Sequence, residues 1–291
     1  MDVYFCGVRG STPAPGLPFV RYGGHTSSVA IAHDGEAPTL VLDAGTGLRQ
    51  VTELLHGAPY DGTILLGHLH WDHVHGLPFF RGGGMPGARV DVVLPAPDDD
   101  PVATLARGLS PPHFPIGPQQ LGSGWTFAAV HPGWHDYEGF RVLAREIPHK
   151  GGQAFGFRVT DGSSSIAYLS DHAPLMLGEG DDGLGALHDT ALELAADVDV
   201  LIHDAQFRAS EFPAVGYLGH AAVEYAVSLA RASGARRLAL FHHAPDRADP
   251  EIDTIVRDAH MEFPDQEVFA AAEGLTLRLG ANRRSTAQAV Q

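Results

Sequence analysis

GHLHWDHVHG, residues 67–76, places four of the chain's eighteen histidines and an aspartate within ten positions. Local structure gives no reason for this crowding. Histidine is a mediocre helix former, is not a favoured strand residue, and packed imidazoles repel one another once protonated. Ligand chemistry does give a reason. His68, His70, Asp72 and His73 spell H-x-H-x-D-H directly after the apolar run TILLG. A strand that ends there hands its last residues to a loop at the sheet edge. His68 and His70 then point one way while Asp72 and His73 turn toward a neighbouring point. Two pairs of nitrogen and oxygen donors result, suited to two metal ions.

Two pairs do not complete two sites, so further ligands must come from distant sequence. Runs that read as strands and end in ligand-type residues are the place to look, because layered α/β proteins assemble their sites at strand ends. REIPHKGG offers His149, and SIAYLSDH offers Asp171, whose two carboxylate oxygens can bridge two ions. RRLALFHHAP offers His242 and His243, and YLGHAAVEY offers His220 at the expected entry to a helix.

The remaining pattern is that of an α/β protein. Strands are expected at 3–5, 28–32, 39–43, 62–67, 89–94, 140–146, 155–159, 165–170, 198–203 and 236–241. Helices are expected at 47–56, 184–196, 220–233 and 250–260. In the third, Val223, Ala226, Val227 and Ala230 share one face, and Asp249 before Pro250 reads as an N-cap and first-turn pair. Hairpin-like strands early and interspersed helices later fit two mixed sheets sandwiched between outer helices. Residues 1–280 read as a single domain and 281–291 as a frayed tail. Gly/Pro-rich pieces at 81–88, 95–101 and 110–118 read as loops, either a lid over the histidines or exposed connectors.

Composition narrows the partners. Against 19 Lys+Arg stand 35 Asp+Glu, a formal charge of −16. Long nucleic acids are gripped by the opposite sign, whereas a small anion bound at a metal centre is compatible with it. No apolar run is long enough to span a bilayer, and MDVYFCG lacks the features of a secretory signal. The single cysteine, Cys6, excludes an internal disulfide and fits a cytoplasmic setting. No G-x-S-x-G is present, so nucleophilic serine catalysis has no support. Nothing specifies an oligomer, and a homodimer is left open.

The order H-x-H-x-D-H, then His, then Asp, then His resembles the metallo-β-lactamase superfamily of metallohydrolases. LIHDAQF (201–207), GHAAVEYA (219–226) and LFHHAP (240–245) resemble its ribonuclease Z and phosphodiesterase branch, as do GVRGSTPAPG and LVLDAGTG near the start. The resemblance implies the αββα sandwich. It assigns His68, His70 and His149 to one ion, and Asp72, His73 and His242 to the other, with Asp171 bridging. Zinc is the ion it implies, and the same donors accept manganese or iron. It makes His220, Asp204 and Asp72 the catalytic candidates: His220 as proton donor to the leaving group, Asp204 as its orienting carboxylate. The pair of ions that the resemblance implies would supply the Lewis acidity that activates water toward a phosphodiester.

The implied function is a binuclear phosphodiesterase for a small nucleotide-type diester. Its alternatives are tRNA 3′-end processing and the opening of lactones or thioesters on the same metals. The tRNA enzymes of this branch carry a long Gly/Pro-rich arm, commonly between the third-motif His and the bridging Asp, and His149 to Asp171 leaves little room for one. Asp43 reads either as a partner of a ligand histidine or as a turn residue, and His25, His75, His172 and His243 as neighbours of the site or surface residues. Phe79, Phe80 and Phe114 read as stacking faces or as packing. Two positions depart from the pattern: Gly67 replaces a common threonine, and His25 a common asparagine.

Overall fold

The computed structural model describes residues 1–280; the tail expected at 281–291 lies outside them. Two seven-stranded sheets form the centre. In chain order the first takes β1 (Asp2–Gly7), β2 (Ser28–Ala32), β3 (Leu40–Leu42), β4 (Asp61–Leu65), β5 (Arg89–Leu94) and β6 (Trp125–Ala129). The second takes β7 (Gly133–Tyr137), β8 (Phe140–Glu146), β9 (Phe155–Thr160), β10 (Ser165–Leu169), β11 (Val200–Asp204), β12 (Arg237–Phe241) and β13 (Glu267–Ala270). Finally β14 (Thr276–Arg278) returns to the first sheet. Strand order is β14-β1-β2-β3-β4-β5-β6 in one and β13-β12-β11-β10-β9-β8-β7 in the other. Each sheet is antiparallel over one half and parallel from β3 to β6 or from β10 to β13.

The α-helices among the described residues are α1 (Leu48–Leu54), α2 (Trp71–Val74), α3 (Pro101–Ala106), α4 (Asp189–Ala195), α5 (Phe212–Val215), α6 (Val223–Ser233) and α7 (Asp249–Glu262). Parallel strands need cover on both faces, and three apolar layers supply it. Between the sheets, Phe5, Ile31 and Leu42 meet Phe140, Phe157 and Ile202. Outside the first sheet, Val41 and Ile64 pack with Leu48 and Val51 of α1. Outside the second, Leu201 and Leu238 pack with Leu194, Ala226 and Ile255 of α4, α6 and α7. Each such Leu, Ile or Phe contributes about 1.5–3 kcal/mol on full burial. The layers run helix, sheet, sheet, helix, as expected.

Helix α6 buries the predicted face, Val223, Ala226, Val227 and Ala230. It ends at Gly234, whose φ of 73° closes the last turn in a conformation that favours glycine. Expectations are corrected at several helix starts. The predicted 184–196 helix begins only at Asp189. At α7 the N-cap is Ala248, not Asp249, whose carboxylate instead accepts the N–H groups of Arg21 and Tyr22 at 2.9 and 3.3 Å. No helix among the described residues is long and apolar enough to cross a membrane. Cys6 is buried beside α1, and burial pushes its thiol pKa up to about 12, which suits packing and not nucleophilic chemistry.

Candidate metal centre

The strands set the site. Past the end of β4, the loop carries His68 and His70, and α2 opens with Asp72 and His73 in its first turn. His149 follows β8, Asp171 follows β10, and His242 directly follows β12. All are buried except His70. Donor atoms of His68, His70 and His149 lie within 4.8 Å of one another, as do those of Asp72, His73, Asp171 and His242. Thus the seven expected ligands meet in two adjacent groups, each able to hold an ion.

Asp171 stands between them. Its Oδ1 lies 3.7 Å from both His68 Nε2 and His149 Nε2, while its Oδ2 lies 3.0 Å from His73 Nε2 and 3.3 Å from His242 Nε2. Hydrogen bonds fix the ring forms. His73 Nδ1–H donates to Asp43 Oδ2 at 2.7 Å, and His149 Nδ1–H donates to the Gly219 carbonyl at 2.9 Å. In both rings Nε2 therefore presents a lone pair to its neighbours. His68 Nε2, His73 Nε2 and Asp171 Oδ2 are buried without a hydrogen-bond partner. Lone pairs facing carboxylate oxygens in a buried space are costly unless a cation lies among them. The donor set fits a divalent metal.

The electrostatics agree. Burial alone would lower His242, yet Asp171 and Asp72 outweigh it and raise its pKa to about 9. Burial also opposes charge on His73, but Asp72, Asp171 and Asp43 push it well above the ordinary histidine range. Asp72 itself is held well below the carboxylate range, because His73 and His242 overcome its burial. At the other end, burial drives His149 down to about 4 and holds His68 well below the usual histidine range. The carboxylates draw positive charge toward His73 and His242, which a divalent cation provides with both rings neutral.

His220 lies just upstream of α6 and does not open it, a small shift from the expected helix start. Its Nδ1–H donates to Asp204 Oδ2 at 2.9 Å, and its ring stacks at 4.9 Å on His242. Asp204 ends β11 and is fully buried; it also accepts the Gln206 N–H at 3.0 Å and the His172 N–H at 3.3 Å. Asp204, His220 and His242 form a third grouping within 4.8 Å, although His220 Nδ1 is already committed to Asp204.

Behind Asp204 runs a series of imidazoles that the sequence did not announce. His203 Nδ1–H donates to the Asp204 carbonyl at 2.6 Å, so His203 Nε2 accepts from His172 Nδ1–H at 2.9 Å. His172 Nε2 in turn accepts from His188 Nε2–H at 2.7 Å. Burial holds His203 down to about 4 and His172 well below the usual range, consistent with neutral rings. Of the other histidines, His243 donates to the Ala271 carbonyl at 2.9 Å, away from the ligands. His75 stacks on Trp71, and His25 lies 3.2 Å from Thr46 Oγ1.

Asp43 holds the centre from below. At φ 60° after β3, its carboxylate accepts from His73, from the Gly67 N–H at 2.7 Å and from the Tyr168 hydroxyl at 2.8 Å. Three donors on one carboxylate leave no place for an amide. Asp43→Asn keeps the shape and tolerates the left-handed backbone, but turns an NH2 toward one of those donors. Metal affinity is expected to fall about ten- to hundred-fold, the range for groups that orient a ligand histidine. Competition against a chromogenic chelator measures it, and wild-type affinity would refute this role for Asp43.

Sequence reading also missed Ser11, whose N–H donates to Asp72 Oδ2 at 2.7 Å, and Gly10, where a Cβ would strike the His242 ring. Both lie in the GVRGST segment, and the only signal was its resemblance to the branch. Tyr168 was missed as well: it is buried within β10, and its hydroxyl donates to Asp43 Oδ2 at 2.8 Å. The expected loops at 95–101 and 110–118, together with α3 between them, do wall the site: Pro95, Pro97, Leu105 and Phe114 line one cleft with His68 and His70. The 81–88 piece does not border that cleft: Arg81 and Gly84 line a separate cavity with His25 and Trp125. Phe80 is core, whereas Phe79 stands exposed at the cleft.

An αββα sandwich with these donors gathered at its strand ends defines a metal-dependent hydrolase. The chain belongs to the family described as the beta-lactamase superfamily domain, which matches residues 39–243. A ribonuclease Z of Salinibacter ruber is 26% identical over 285 residues, covering 84% of this chain and 86% of its own. The metallo-β-lactamase fold protein YhfI of Bacillus subtilis superposes with a TM-score of 0.69 at 20% identity, over 94% of this chain and 97% of that one. A diphosphatase of the PhnP family gives a TM-score of 0.69 at 18% identity, over 96% of this chain and 97% of that one. These likenesses agree with the ribonuclease Z-like branch that the motifs resemble.

Proposed function

We propose that the protein is a binuclear phosphodiesterase for a small nucleotide-type diester, with zinc in both positions. One arrangement carries this reading: Asp171 turns one oxygen to His68 and His149 and the other to His73 and His242, with His220 3.6 Å from Asp171 Oδ1. Imidazole and carboxylate donors suit zinc, and they also accept manganese or iron. His68, His70 and His149 would hold one ion; Asp72, His73 and His242 would hold the other; Asp171 would serve both. When bound, such ions supply Lewis acidity that acidifies water and neutralises the phosphoryl oxygens.

The protein's own residues then handle the leaving group. Because His220 Nδ1–H is bound to Asp204, Nε2 is the ring nitrogen free to pass a proton to the departing alkoxide. The buried Asp204 carboxylate stabilises the charged ring that makes this transfer, and the bonds from Gln206 and His172 keep that carboxylate in place. Asp72 accepts from Ser11 and lies 3.1 Å from His242 Nε2, so it orients the second ligand group besides belonging to it.

Cleavage of tRNA precursors is the second reading, favoured by the likeness to the Salinibacter ruber ribonuclease Z. Two observations weigh against it. A formal charge of −16 opposes a long phosphate backbone. Between His149 and Asp171, where the resembled tRNA enzymes commonly carry their arm, β9 and β10 are joined by residues 161–164 alone. The test is a screen of zinc- and manganese-loaded protein on bis(p-nitrophenyl) phosphate, cyclic nucleotides, linear dinucleotides, tRNA precursors and lactones. Turnover of the small diesters is expected. Preference for tRNA with a steep salt dependence, or turnover of lactones alone, would replace the proposal.

A further inference from the structure

The cleft beside the ligand cluster has a volume of about 730 Å³, and His68 and His70 form part of its lining. That size falls within the range of small-molecule sites, which are mostly apolar with a few placed polar groups. Two aromatic side chains stand open in it: Trp71 is 68% exposed and Phe79 65% exposed. Their geometry is set by neighbours. Trp71 stacks on His75 at 5.7 Å and 16°, and Phe79 meets Phe114 edge-on at 5.9 Å and 88°. Large aromatic faces held in a fixed orientation beside a reaction centre, with water against them, are suited to receive a flat apolar ligand.

Charge gives an independent indication. The chain carries 35 Asp+Glu against 19 Lys+Arg, yet among the described residues no Asp or Glu lines this cleft. Its one formally charged residue is the exposed Arg107. An anion is therefore tolerated here in a molecule that otherwise repels it. Direction follows from a second, smaller cavity of about 350 Å³, lined by Ser11, Asp72, Asp171 and His220. Leu69, His70 and Trp71 border both spaces, whereas His220 borders only the smaller. A diester seated at the ligand cluster has its leaving arm toward His220 and its retained arm toward the aromatic cleft.

We infer that the cleft binds a planar aromatic group, a nucleobase or aryl ring, on the retained arm of the substrate, with Trp71 and Phe79 as stacking faces and Arg107 as the cation. This rests on the phosphodiesterase reading and adds the substrate feature that the enzyme selects. The test compares thymidine 5′-(p-nitrophenyl phosphate) with methyl p-nitrophenyl phosphate, which share a leaving group and a chromophore and differ in the retained arm. Stacking of one base corresponds to a preference of roughly ten- to a hundred-fold, read in KM. Trp71→Ala and, separately, the exposed Phe79→Ala should bring that preference close to unity, and Phe79→Tyr should restore it.

A second readout needs no turnover. Adenosine 5′-monophosphate should quench tryptophan fluorescence, because Trp71 is the tryptophan in the cleft, and ribose 5-phosphate should not. Hydrolysis of neither ester by metal-loaded protein would overturn the phosphodiesterase reading. Hydrolysis of both with equal KM, unmoved by Trp71→Ala or Phe79→Ala, with no quenching by the nucleotide, would overturn the cleft assignment alone.

Discussion

Asp171→Ala is expected to abolish stable binding of both ions and to lower diester hydrolysis by on the order of a thousand-fold or more. Residues that merely orient a ligand already cost ten- to a hundred-fold, and this one faces four ligand histidines with its two oxygens. The loss should extend to both ions, since neither group keeps its carboxylate bridge. His68→Ala should give a milder version, confined first to the group of His70 and His149. Metal content by atomic spectroscopy, read beside the rate, checks the claim. Metal should also raise the melting temperature of the wild-type protein by mass action and leave that of Asp171→Ala unmoved. A variant that holds two equivalents and turns over normally would remove Asp171 from the centre.

His220→Ala should separate chemistry from binding. Both ions should stay, while the rate falls by about 10²–10⁴ on diesters with alkyl leaving groups, the contribution of a positioned acid. On p-nitrophenyl esters the loss should be much smaller, because that leaving group departs without a proton. This contrast distinguishes a proton donor from a residue that only shapes the site. It also tests the third grouping of Asp204, His220 and His242. Loss of one metal equivalent in His220→Ala would make His220 a ligand, and an equal loss on both classes of ester would deny it the acid role.

The ligand set was readable because its residues cluster at the ends of apolar runs, and those runs lie in the middle of the sheets. The strands that the sequence hid are β6, β7, β13 and β14, and each is the edge of its sheet. Edge strands bury one side poorly, as the alternation of half-buried and exposed residues in β6 and β7 shows, so their apolar signal is weak. Within the site, side chains with their own chemistry were legible and backbone contributions were not. The Ser11 N–H on Asp72 and the Gly219 carbonyl on His149 carry no residue-specific signature. The His203–His172–His188 series was hidden for a different reason. Its members are remote in sequence, and only the parallel register of β10 beside β11 brings two of them together.

The candidate ligands are drawn from both layers of the sandwich: His68, Asp72 and His73 follow a strand of one sheet, and His149, Asp171 and His242 follow strands of the other. Ions seated among them would rivet the two halves of the molecule at one rim. Binding energy gained there is folding energy, so scarcity of the cation would loosen the architecture while it silences the chemistry. Stripping by a chelator would then leave a protein that is easier to unfold and to degrade, with its lifetime tied to metal supply.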